Sequence, residues 1–253
     1  MKNLPNFYSV IIGTELLNGR RKDAHFAFLN EQLLQRDWIH KASFVIEDDV
    51  KLMEKTFELI KADKNSVMFC FGGIGATPDD YTRQIAAKVF TAGKMEYEEK
   101  AKELILKQFG DEAYPYRIEM SHLPINAGLL KNVVNNVPGF YLEDRFFFTP
   151  GFPSMSQSMV IEALDKFYKK NEVIKYRKTL TMFAGENEII EFMKKIPESI
   201  EASSLPKLQD GKRSAVFSMA SYDEKILEEY YKKVQEYLEN KNINFVLKDI
   251  SQS

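Results

Sequence analysis

"SVMFCFGGIGATPDDYT", residues 66–82, decides how the chain is read. Ser66 to Phe71 form a continuous, largely apolar run, the pattern of a strand whose sheet is covered on both faces. Three glycines follow at 72, 73 and 75, then two carboxylates, Asp79 and Asp80, then a helical pattern from about Asp80 to Phe90. Strand, glycine loop and helix in that order put the loop at the carboxyl end of a strand, where open parallel sheets bind ligands. Glycine lets the backbone take positive φ and come close to an anion. Free N–H groups at a helix start favour negative charge there. The loop reads two ways. Asp79 and Asp80 would repel a phosphate unless a divalent cation lay between them, held by carboxylates and phosphate oxygens together. Alternatively, the pair only caps an ordinary helix. The loop is neither a Walker A sequence nor a G-x-G-x-x-G fingerprint.

Working outward, "FYSVII" (7–12) reads as a strand ending at Gly13, and Phe26, Leu29 and Leu33 mark a helix. "KASFVI" (41–46) is a second strand, and Val50, Met53, Phe57 and Ile60 mark a second helix. This alternation up to residue 90 predicts an α/β fold with a parallel sheet and right-handed crossovers. Beyond it the pattern predicts a helix over 96–109, strand pieces in "LLKNVV" and "GFYLEDRFFFTP" with turns at Asn135–Gly139, and a helix opened by "PGFPSM" and running to about Lys170. Pro153 suits the first turn of that helix, where its missing N–H costs nothing. After Lys170 the character changes. A strand, a short helix, two strands joined by the turn signal "QDGK", a helix and a last strand, "INFVLKD", give the order of a small α+β domain. Ser221 with Glu224 reads as a capping box, and Ile226, Tyr230, Val234 and Tyr237 as the buried stripe of the helix that follows. Two domains are therefore expected, 1–170 and 171–253.

Two further clusters follow strands at the same sheet edge. In "GTELLNGRRKDAH" (13–25), Glu15 and Asp23 are placed to reach the cleft of the glycine loop; alternatively Glu15 is a surface residue and Asp23 caps the helix at 24–36. In "TPGFPSM" (149–155), Pro150 and Pro153 stiffen the turn, Gly151 permits close approach, and Ser154 either bonds a ligand or caps a helix.

The 253 residues are 44% hydrophobic and 28% charged, enough for a substantial core. With 35 basic and 37 acidic residues the net charge is −2, so no global field draws the protein to nucleic acid or an anionic membrane. No stretch approaches the ~18 apolar residues of a membrane span, and the amino-terminal run is too short for a secretory signal. The single cysteine, Cys70, lies in the apolar strand and reads as a core residue; one thiol cannot make an internal disulfide, which fits a reducing cytoplasm. His40, His122 and Trp38 read as packing or surface residues. A G-x-x-G loop between helices is absent from 171–253, which argues against RNA binding.

Taken together, the three clusters resemble the amino-terminal part of the competence/damage-inducible protein A (CinA) family, of the molybdopterin-binding superfamily. Its pattern runs roughly G-D-E-L-L-x-G-x-x-x-D-T-N, then G-G-L-G-P-T-x-D-D-x-T, then L-P-G-x-P-S-E-M. The chain matches the first at Gly13, Glu15, Leu16, Leu17, Gly19 and Asp23. It matches the second at Gly72, Gly73, Gly75, Thr77, Asp79, Asp80 and Thr82, and the third at Pro150, Gly151, Pro153 and Ser154. The resemblance implies a three-layer, mostly parallel sheet of the MogA-like kind over 1–170 and a smaller KH-like α+β domain over 171–253, with no residues left for the family's carboxyl-terminal nicotinamide mononucleotide deamidase domain. It also implies a metal-dependent hydrolase that splits ADP-ribose into AMP and ribose 5-phosphate in the cytoplasm, as a homodimer. Asp80, Asp79 and Glu15 would be catalytic, and these three with Asp23 would hold Mg²⁺, Mn²⁺ or Co²⁺. The substrate would lie against Gly13, Gly72, Gly73, Gly75, Thr77, Thr82, Asp23, His25, Gly151, Pro153 and Ser154. Other readings are a pterin-phosphate binding protein of molybdenum cofactor biosynthesis, or a non-catalytic nucleotide-binding protein. The chain departs from the pattern at Thr14 (Asp in the family), Ala24 and His25 (Thr and Asn), Ala76 (Pro) and Met155 (Glu).

Overall fold

In the computed structural model, which describes residues 4–209 and 212–248, the chain divides into two compact units, Met1–Asn171 and Glu172–Ser253. The first begins as its periodicity dictates: β1 (Asn6–Ile12), the single turn α1 (Thr14–Leu17), α2 (His25–Leu34), β2 (His40–Ile46), α3 (Val50–Ala62), β3 (Ser66–Phe71) and α4 (Thr82–Phe90). Then follow β4 (Met95–Tyr97), α5 (Glu99–Phe109), β5 (His122–Pro124), β6 (Gly128–Leu130), β7 (Gly139–Leu142), β8 (Phe146–Thr149) and α6 (Pro153–Phe167). The main sheet runs β2-β1-β3-β8-β7-β6, and β4 with β5 forms a separate ribbon. The four strands β2, β1, β3 and β8 are parallel; β7 and β6 continue antiparallel.

Alternation along the central strands splits the core in two. Tyr8, Val10, Met68 and Cys70 face Met53, Phe57 and Ile60 of α3 and Ile85, Ala86 and Val89 of α4. Phe7, Ile11, Val67, Phe69 and Phe71 face Leu29 and Leu33 of α2 and Val160, Ala163 and Leu164 of α6. Helices on both faces of a mostly parallel sheet make three layers. Cys70 is fully buried, and burial pushes its thiol far up, as expected of a core residue. Trp38 packs on Phe7 and donates its indole N–H to the Tyr168 carbonyl at 3.0 Å. His40 stacks on Phe26 and His122 on Tyr97.

Several expectations are corrected. α4 starts at Thr82 rather than Asp80, because the Asp80 carboxylate folds back onto Thr77 instead of joining the helix. A short strand, β4, precedes α5, and α6 stops at Phe167. "LLKNVV" is strand only to Leu130; Asn132 and Asn135 then bind nearby backbone N–H groups and close a turn, leaving Val133 and Val134 exposed. The buried stripe of α2 is His25, Leu29 and Leu33, with Phe26 outside.

The second unit comprises β9 (Tyr176–Met182), α7 (Ile190–Met193), β10 (Glu201–Gln209), β11 (Lys212–Ser221), α8 (Glu224–Asn240) and β12 (Phe245–Lys248). Its antiparallel sheet is ordered β10-β11-β9-β12. β10 and β11 pair out to Gln209 opposite Lys212; the turn residues Asp210 and Gly211 lie outside the described residues, as does Asp249 of the last strand segment. Leu227, Tyr231, Val234 and Leu238 are the buried face of α8, one register from the expected stripe of Ile226, Tyr230 and Tyr237, which are only half-buried. The cap of α8 is Asp223, whose carboxylate accepts from Lys225 and Ile226 N–H, and not Ser221. Ser221 ends β11 and donates to the Ser199 carbonyl, so no capping box forms.

Candidate functional site

The carboxyl ends of β1, β3 and β8 are adjacent, so the loops that leave them meet. Gly72 has φ +105°, and a Cβ there would lie 2.6 Å from the Ile12 carbonyl oxygen. Gly151 lies so near that its Cβ would be 3.4 Å from the Gly72 Cα. Arg21 joins the first loop to the third: its guanidinium donates to the Gly151 carbonyl at 2.9 Å and lies over the Phe152 ring. The three expected clusters therefore share one rim.

Within the glycine loop, every carbonyl from 72 to 75 is drawn inward. The Thr82 hydroxyl donates to Gly72 O at 2.9 Å and the Thr82 N–H to Gly73 O at 3.0 Å. Arg83 Nη1 donates to both Ile74 O and Gly75 O. In a trans peptide the next N–H points opposite to the carbonyl, and the only cis bond among the described residues is Tyr114–Pro115. The N–H groups of Gly73, Ile74, Gly75 and Ala76 accordingly turn away from these anchors, and none finds an acceptor among the described residues. Four consecutive donors without acceptors are the chemistry that successive backbone amides offer an anion. At Gly73 (φ +69°) a Cβ would lie 2.3 Å from the Thr82 hydroxyl, which would have to move aside. A Cβ on Gly75 would lie 2.6 Å from the Asp80 carboxylate, which accepts from both Thr77 N–H and Thr77 Oγ1. Asp79 is exposed, and its carboxylate has no partner among the described residues.

The first cluster is closed. Glu15 packs over Gly13 and faces Arg21 at 3.6 Å. Asp23 accepts from His25 N–H at 2.9 Å and Phe26 N–H at 3.1 Å, so it does the capping work at the start of α2. Burial alone would raise its pKa, but those bonds and the His25 ring outweigh it and hold the carboxyl below the usual range. The His25 ring is buried against Phe71, with Nδ1 on Asp23 and Nε2 without a partner. Burial, helped by Arg21, pulls its pKa down against the pull of Asp23, so the ring is neutral near pH 7. Thr14, which stands where the pattern has Asp, donates its N–H and hydroxyl to Asp48 at 2.9 and 2.8 Å. In the third cluster Pro153 occupies the first turn of α6, and Ser154 is exposed there without capping it.

Among the described residues no three His, Cys, Asp or Glu side chains stand together as a metal-binding group. Asp79, Asp80, Glu15 and Asp23 are not gathered into one ligand set: Glu15 and Asp23 serve Arg21 and α2. What fits is a cation held by one or two loop carboxylates and by the ligand's own oxygens, as Mg²⁺ is often bound. The sequence reading missed Arg83, Arg21 and Asp48. Arg83 had a signal: it lies on the stripe of Ala86 and Ala87, both buried, so an arginine there must enter the fold.

Residues 9–170 match the model of the family described as "Probable molybdopterin binding domain". A CinA-like protein of Fusobacterium nucleatum is 28% identical over 165 residues, covering 64% of this chain and 40% of the relative. A Pyrococcus furiosus protein is 28% identical over 256 residues, covering 93% of this chain and 96% of its own. The chain thus spans less than half of the first relative and nearly all of the second. The crystal structure of a Thermoplasma acidophilum CinA protein of unknown function superposes with a TM-score of 0.57 at 26% identity, over 65% of this chain and 98% of that one. No helix among the described residues is long and apolar enough to cross a membrane. Fold, motifs and relatives agree: the chain belongs to the probable molybdopterin binding domain family and is similar to the CinA-like proteins within it.

Proposed function

We propose that the protein binds a phosphorylated small molecule at the carboxyl edge of its main sheet, a pterin phosphate of the molybdopterin class, with the phosphate on residues 73–76. The observation that carries this reading is the run of four N–H groups without acceptors among the described residues, each turned away from a carbonyl that Thr82 or Arg83 anchors. Backbone donors fixed in advance lose little entropy when an anion arrives, and the family match supports a pterin as the body of the ligand.

A second reading is metal-assisted hydrolysis of a nucleotide-sugar pyrophosphate such as ADP-ribose. Asp79 favours it, being an exposed carboxylate of the same loop with no partner among the described residues. A cation there would neutralise phosphoryl oxygens and lower the pKa of a bound water. Asp80 would hold the loop in shape and lend charge; Glu15 and Asp23 would remain structural.

Calorimetric titration with molybdopterin and with ADP-ribose, each with and without Mg²⁺, Mn²⁺ and Co²⁺, tests both readings. Tight molybdopterin binding without turnover is the expected result. AMP and ribose 5-phosphate released from ADP-ribose, and lost in Asp79→Asn, would establish the second reading instead. Binding of neither ligand refutes the site.

A further inference from the structure

Arg83 is only 4% exposed. It makes no ion pair among the described residues: its hydrogen-bond partners are the two loop carbonyls, and Nε has none. Asp80 and Glu119 act on it only through space, with Glu119 engaged by the Tyr97 hydroxyl at 2.9 Å. A buried cation without a directly bonded counter-charge is expensive for a fold. Two carbonyls could be anchored more cheaply by a neutral donor, as Thr82 anchors the other two. Arg83 holds the Ile74 and Gly75 carbonyls, so the Gly75 and Ala76 N–H groups of the same trans peptides point away from it.

We propose that Arg83 is the specificity-determining counter-charge of the glycine loop, selecting doubly charged phosphate monoesters over singly charged phosphodiesters. The proposal rests on the phosphate reading above. Two effects act together. Anchoring the carbonyls aims the N–H groups at the ligand. The positive charge, acting across the loop, adds attraction that grows with each negative charge on the ligand; at an effective dielectric of about 20 a unit charge about 6–12 Å away favours the second anionic charge by roughly ten- to a hundredfold. Arg83 is a positioning residue and reaches the ligand only through the loop and its field.

The test uses ribose 5-phosphate, a dianion at pH 8, and its monomethyl phosphate ester, a monoanion with the same body. Affinities are measured by calorimetry for the wild-type protein and for Arg83→Lys, Arg83→Gln and Arg83→Met, with thermal midpoints recorded without ligand. The wild type should prefer the dianion at least tenfold. Arg83→Lys should retain most of that preference because it retains the charge. Arg83→Gln, which keeps a donor but no charge, should bind both probes alike, as should Arg83→Met. If Arg83→Met does not fold, the Lys and Gln pair decides. Equal weakening of both probes with the preference intact in Arg83→Gln would mean that Arg83 is only a structural anchor, and would overturn the proposal. Failure of the wild type to bind either probe would refute the phosphate reading itself, and this inference with it.

Discussion

The segments 13–25 and 72–82 start alike and end differently. Each leaves a central parallel strand at the same edge, and each carries glycines, carboxylates and a short path into a helix. In 13–25 both acidic groups are engaged, Asp23 by α2 and Glu15 by Arg21, and Thr14 is engaged by Asp48 from outside the segment. In 72–82 the carbonyls of residues 72–75 are engaged and the amides of residues 73–76 are not. A segment that satisfies its charged groups internally has none to offer a ligand; one that anchors its acceptors and leaves donors free has N–H groups to offer, and the proposed function rests on that difference. The same residue types support both outcomes, and the difference lies in which half of each peptide finds a partner.

The comparison breaks if the closed segment proves as sensitive as the open one. The largest effect should come from Gly72→Ala, whose Cβ would meet the Ile12 carbonyl at 2.6 Å from a positive φ. We expect a stability loss on the order of 2–4 kcal/mol in urea unfolding and no anion binding. Gly73→Ala meets a movable hydroxyl instead, and should fold with a loss of about 1–3 kcal/mol while phosphate affinity falls at least tenfold. Next comes Asp23→Ala, which removes a cap from α2; about 1 kcal/mol should be lost with phosphate affinity unchanged. Equal loss of affinity in Asp23→Ala and Gly73→Ala would abolish the distinction. Glu15→Gln should be the mildest, since a half-exposed pair at 3.6 Å contributes about 0–1 kcal/mol.

Acid sharpens the same contrast. His25 and His40 both have pKa values lowered, chiefly by burial, so the unfolded chain takes up their protons first. Their contribution is complete above the unfolded value of about 6.5 and declines as pH falls below it, by up to about 1.4 kcal/mol per pH unit for each ring. Asp23, also lowered, keeps its contribution until pH drops below the ordinary carboxylate value of about 3.9. His25→Gln should therefore reduce the slope of stability as pH falls below about 6.5 and leave the part due to His40, as read from urea midpoints. An unchanged slope would mean that the His25 ring is not buried neutral.

Much of the fold was legible because its signals are local and strong. The apolar run 66–71 could only be a covered central strand, and Met53, Phe57 and Ile60 recur at helical spacing. Boundaries failed where a side chain competed with the backbone: Asp80 for the start of α4, Asp223 for the cap of α8, Asn132 and Asn135 for the end of β6. The stripe of α8 was misread by one position because tyrosine and isoleucine also occur on its half-covered flanks. At the site, the meeting of three loops was legible from the order of strands and glycines. The fate of each carboxylate was not, since an aspartate two residues before a helix looks the same whether it binds a cation or caps the helix. Arg83 was overlooked because a lone arginine in a helix is usually solvated, and only the small residues one turn further along show that it turns inward.

The lone sulfhydryl in β3, flanked by Val10 and Phe148, has a practical consequence. It can meet a disulfide reagent only when the central strands part, and the second unit carries no cysteine at all. Labelling kinetics on the unmodified protein therefore time the opening of one unit alone. Slower labelling with phosphate present would report occupancy of the rim from the middle of the sheet, without any engineered probe.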